Sequence, residues 1–131
     1  MMSEGEALDI ATRIGIQAKF EYLTKTQIEN LLSSLDFARD PKASLLVSAA
    51  FAYRQAARLR KGKRTAALVA EALKQVYEKG EKEDARKILR LAKWIFEIVE
   101  NIRLNISPSD IPHMNFMKLM EQLNESVENE L

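Results

Sequence analysis

Apolar residues recur at helical spacing along most of the chain. Ile88, Leu91, Ala92, Ile95, Ile98, Val99 and Ile102 share one wide face, with Trp94 and Phe96 off its centre. A second stretch, from Leu45 through Leu59, is apolar over most of its circumference, and its many alanines let neighbouring helices approach closely. Leu119, Leu123 and Val127, with Phe116 and Met120, form a stripe near the end. Nothing between Thr24 and Asn105 alternates with a period of two over a strand length.

Punctuation divides this pattern. Asp40-Pro41 supplies a helix cap followed by proline at the first helical position. Gly62 and Gly80 stand where helices end, and Asn105-Ile106-Ser107-Pro108 breaks the next one, with Pro112 marking the start of the last. Thr24 to Gln27 and Thr26 to Glu29 overlap as capping boxes. The pattern predicts helices over 6–20, 25–38, 42–60, 65–79, 82–104 and 113–128. The expected architecture is an all-α, single-domain bundle of five to six helices over residues 1–131. The 42–60 helix should be central and most buried, and Leu46, Ala49, Ala50, Leu91, Ala92, Ile95 and Val99 should lie in the core. The first segment is the weakest, because Gly15 interrupts it and termini fray.

Composition narrows the chemistry. The 131 residues are 47% hydrophobic and 30% charged, too apolar for disorder and long enough for one core. There is no cysteine, which removes disulfides and thiolate metal sites and points to an intracellular setting. His113 is the sole histidine, so a multi-histidine metal site within one chain is excluded. Glu97 and Glu100 sit on one helix with Lys93 nearby, which reads as intrahelical pairing. Phosphate-binding glycine loops and nucleophile elbows are missing. The expectation is a non-enzyme with no cofactor and no metal. The longest charge-free stretch in the middle of the chain, Ala43 to Tyr53, is far short of a membrane span, and the acids of residues 1–15 do not resemble a secretory signal.

Charge changes the picture most. The formal net charge is +1, yet residues 41–70 hold seven bases and no acid. Arg54, Arg58 and Lys61 follow at i, i+4 and i+7, with Lys63 and Arg64 just past Gly62. Arg86, Arg90 and Lys93 repeat the spacing later. Two such stripes on helices sharing a core are expected to form one continuous basic face for a phosphate backbone. The plainer reading is a solvated helix face whose bases answer the C-terminal dipole. Tyr53, Tyr77 and Trp94 each adjoin bases; Tyr77 reads as a core-edge ring, while Tyr53 and Trp94 stay open as base-stacking candidates.

A family resemblance follows from the order of motifs. Leu23-Thr24-Lys25-Thr26-Gln27-Ile28 opens a helix, Ala52-Tyr53-Arg54-Gln55-Ala56-Ala57-Arg58 ends an alanine-rich one, and Leu91-Ala92-Lys93-Trp94-Ile95-Phe96-Glu97 lies in a later one. This resembles the small helical subunit of type III-A CRISPR–Cas effector complexes, the Csm assemblies, over about residues 20–105. Three features depart from the family pattern. Glu29 stands where arginine is usual, Ala57 replaces a glycine before Arg58, and residues 106–131 extend past the usual end as an extra C-terminal helix. The resemblance implies a cytoplasmic, non-catalytic subunit. Several copies would stack beside guide and target RNA and other effector subunits, with Arg58 and Lys93 facing RNA. The charge pattern adds Arg54, Lys61, Lys63, Arg64 and Arg90. Two competing readings are a protein-interaction module whose basic face meets an acidic partner, such as another copy's C-terminal segment, and a small nucleic-acid-binding regulator.

Overall fold

The structure is a computed structural model that describes residues 2–130. Among them there is no strand. Six α-helices, α1 (Glu4–Phe20), α2 (Lys25–Ser33), α3 (Pro41–Leu59), α4 (Lys63–Lys79), α5 (Lys82–Val99) and α6 (Phe116–Asn129), are joined by two 3-10 helices, Ser34–Asp36 and Pro108–His113. The all-helical expectation holds. The two 3-10 segments were not anticipated, so the count of helical elements exceeds five to six.

The most extensive packing joins α1 to α5. Helix α1 starts at Ser3, whose hydroxyl accepts from the Glu6 amide, and it buries Ala7, Ala11, Thr12, Ile14, Gly15, Ile16, Gln17 and Ala18. Gly15 is a contact, not an interruption. A methyl group there would come within 2.7 Å of Ile95 Cβ and Cγ2 and 3.0 Å of the Ala92 carbonyl oxygen. The missing side chain lets the two backbones close together, as small residues do wherever helices cross tightly.

Helices α3 and α4 form an antiparallel hairpin whose turn uses left-handed backbone at Arg60 (φ 56°) and Gly62 (φ 84°). Gly62 supplies that conformation without strain and lies against Leu23. Only one side of α3 is covered: Ser44, Leu45, Ser48 and Ala52 are buried, while Leu46, Ala50 and Tyr53 are exposed. The expectation of a central α3 is therefore overturned. Of the expected core, Ala92, Ile95 and Val99 are buried, Ala49 and Leu91 are half-buried, and Leu46 and Ala50 face outward. Apolar composition alone does not say which face a neighbour will cover. Here α4 and the 3-10 turn Ser34–Asp36 take one side of α3, and α1 holds the centre.

Helix α5 stops at Val99 and not at residue 104. The Lys19 ammonium donates to the Ile102 carbonyl at 2.6 Å and to the Glu100 carbonyl at 3.4 Å, satisfying acceptors just past the helix end. Leu104, Ile111, Met114 and Leu119 then turn inward onto Ile16, Ile95 and Val99. Arg13 donates to the Met114 carbonyl at 3.0 Å, and the Phe116 amide donates to Asp9 at 3.0 Å. The C-terminal extension is thus built into the core through α1.

Candidate nucleic-acid interface

The two basic stripes meet different surroundings. On α5, the charges are met by carboxylates from the α2 side. Arg86 lies 2.9 Å from Asp36 and also donates to Glu83, and Lys93 pairs with Glu29 at 3.6 Å. Lys25 of α2 returns the contact to Glu97 at 3.4 Å. The Arg86 guanidinium hydrogen-bonds Asp36 and holds its carboxyl below the usual carboxylate range, and that contact raises Arg86 in turn. Of the α5 stripe, Arg90 alone has no polar partner among the described residues; it is exposed one turn from the exposed Trp94. Glu29, which departs from the family pattern, is thus the residue that occupies Lys93.

The α3–α4 hairpin is the opposite case. None of the seven bases between residues 41 and 70 is in an ion pair among the described residues. Lys42 is spent on the Tyr77 ring and carbonyl, and Lys61 donates to the Tyr22 carbonyl at 2.7 Å. Arg54, Arg58, Arg60, Lys63 and Arg64 keep their charged ends free of carboxylates. Arg58 sits in the last turn of α3, where a cation suits the helix dipole. Lys63 and Arg64 do not have that excuse. They occupy the first turn of α4, the positive end of that dipole, where like charge is unfavourable. Local stability does not account for cations in that position.

The N-terminus of α4 is answered instead by Glu21, from the turn after α1. Its carboxylate accepts from the Thr65 amide at 2.6 Å, the Thr65 hydroxyl at 2.7 Å and the Arg64 amide at 3.3 Å. The backbone donors that would otherwise attract an anion are therefore taken, and any phosphate at this corner must be held by side chains.

The expected continuous face is not what forms. Helix α2 and the 3-10 turn lie between the stripes, and Glu29 and Asp36 stand on that divide. Arg58, Lys61, Lys63 and Arg64 come together at the hairpin end. Arg54 lies further along α3 beside a groove, and Arg90 and Lys93 are on α5, across α2. Sequence reasoning left Arg60 out of the site, although it belongs to the same acid-free run. It also missed Phe37, 84% exposed beside α3, whose signal was an apolar residue in the turn just before the Asp40 cap. Tyr53 and Trp94 are both exposed, and Tyr77 is covered in part by Lys42.

Among the described residues no group of carboxylates and histidine is placed to hold a metal ion, and no helix is long and apolar enough to cross a membrane. His113 is exposed, and its carbonyl accepts from Lys118. Compared with protein-family models, with curated proteins and with solved structures, the chain finds no match.

Proposed function

We propose that this chain is a non-catalytic RNA-binding subunit of a type III CRISPR–Cas ribonucleoprotein, a single helical domain of which several copies line a guide–target duplex in the cytoplasm. The observation that supports this most is the unpaired charge at the α3–α4 corner, where Arg58, Arg60, Lys63 and Arg64 make no ion pair among the described residues and the nearby Glu21 carboxylate is taken up by the backbone of α4. A cluster of cations left without ion pairs fits a polyanionic partner, and arginine forks suit phosphate oxygens. The motif order over residues 20–105 supplies the class of assembly. The pairing of Lys93 with Glu29 narrows the surface, so the corner residues Arg58, Arg60, Lys63 and Arg64 carry the contact. Arg90, beside Trp94, is a separate and weaker position. Neighbouring genes encoding RNA-guide machinery would support the assembly, and their absence would remove it.

The binding itself is tested by titrating RNA at several salt concentrations. Phosphate contacts release counterions, so affinity falls with salt by a log–log slope of about −0.7 per contact on single strands. Removing three contacts in R58A/K63A/R64A should flatten that slope by about 2 and weaken all sequences alike. Equal binding by both proteins, or no binding by the unaltered chain at low salt, would sink the reading. The second reading, an acidic protein partner, is favoured by one observation: the exposed apolar face of α3 that runs beside Arg54.

A further inference from the structure

Helix α3 presents Leu46, Ala50, Tyr53 and Ala57 outward at i, i+4, i+7 and i+11, a continuous stripe on one face. Leu46 is 55% and Tyr53 47% exposed. Along one edge of this stripe runs an open groove of about 740 Å³, lined by Val47, Phe51, Phe37 and Arg54. The groove also touches Asp36, whose charge Arg86 already meets, so Arg54 is its one uncompensated charge. The face is apolar, with a basic edge.

Helix α6 carries the complementary pattern. Leu119 is buried and Leu123 half-buried, and these hold it to the rest of the protein. Beside that buried face it exposes Met117, Met120 and Val127 at i, i+3 and i+10, with Asn124 among them at i+7. Helical spacing places Glu121, Glu125 and Glu128 along one border of that stripe. This face is apolar too, but its edge is acidic. Within one chain α6 is pinned to α1 through Asp9 and Arg13, whereas α3 packs on α4, α2 and the 3-10 turn.

We propose that the exposed face of α6 docks into the α3 groove of a second copy of this chain, Met117 and Met120 entering the apolar part and the glutamates reaching Arg54. Two α3 faces cannot serve each other as well, because pairing them would bring arginine edges together. The contact joins unlike surfaces, so each copy keeps one free face of each kind and copies add head to tail. The inference takes the lining-up of copies from the function proposed above and gives it named surfaces, but the contact itself requires no RNA. It also draws on residues 106–131, which lie outside the resemblance.

The test is sedimentation velocity over a concentration series, without RNA, on the whole chain and two variants. A50E places a charge in the α3 stripe, and M120E places one in the α6 stripe; both positions are exposed, so folding should survive, checked by circular dichroism. The unaltered protein should form a ladder of species growing with concentration. Each variant alone should be monomeric. Mixed, they should give a one-to-one complex that stops there, because A50E keeps its α6 and M120E keeps its groove. A dimer that persists in M120E alone would mean α3 faces pair with each other, and would overturn the proposal. A monomeric unaltered chain at every concentration would overturn it as well. RNA titration of the monomeric variants then reads the other hypothesis separately, since A50E and M120E leave Arg58, Lys63 and Arg64 intact.

Discussion

Helices α1 and α3 are similar in length and reverse what their sequences suggest. Helix α3 is apolar around most of its circumference yet is covered on one side, and α1, which carries a glycine in its interior, is buried along most of its length. The difference lies in what each helix can reach. Gly15 lets α1 sit against Ile95 and Ala92 of α5, and α4, the 3-10 helix Pro108–His113 and α6 close around it. Helix α3 has many small side chains but a neighbour on one face, so its outward alanines and Leu46 stay in contact with water. Burial follows how the partners are distributed around a helix and not the number of apolar letters.

Substitutions sharpen this contrast. Ile95→Ala removes a side chain that is 2% exposed between α1 and α5, and it should lower unfolding free energy by about 2–5 kcal/mol in a urea titration. Gly15→Ala comes next. Alanine ordinarily favours a helix interior by about 1 kcal/mol. Here the added methyl meets Ile95 Cβ, an atom no rotamer change can move aside, so α1 and α5 must separate. The net effect should be a loss of about 1–3 kcal/mol; a gain in melting temperature would show that the helices are not so close. Leu46→Ala, expected from sequence to be a core change, should shift stability by no more than about 0.5 kcal/mol. A loss as large as that of Ile95→Ala would restore α3 to the centre.

Much of this was legible beforehand. The caps at Thr24 and Asp40, the Gly62 turn and the break before Pro108 all act as their residue types predict, because capping and turn chemistry are local. The centre of the bundle was not legible, since Gly15 reads as a helix breaker until its partner 80 residues away is known. The candidate site divides in the same way. An acid-free run is visible in the sequence itself and keeps its unpaired charge in the fold. The fate of the α5 stripe was largely hidden, because Asp36 and Glu29, which meet Arg86 and Lys93, lie far back along the chain, and only the contact of Arg86 with Glu83 is local. Glu21 was equally unannounced as the cap of α4, since the helix it serves begins 42 positions later, at Lys63.

The pairing of α1 with α5 also orders events in time. During synthesis α1 is made first, but the side chain that fills the space at Gly15 belongs to residue 95, so its main partner emerges only after α2, α3 and α4 have been completed. The α3–α4 hairpin closes across a short turn and needs little chain entropy, whereas joining the first helix to the fifth closes a long loop. The nascent chain therefore carries the α5-facing side of α1 unburied until most of the bundle has been made, and an early surface waits for a late one.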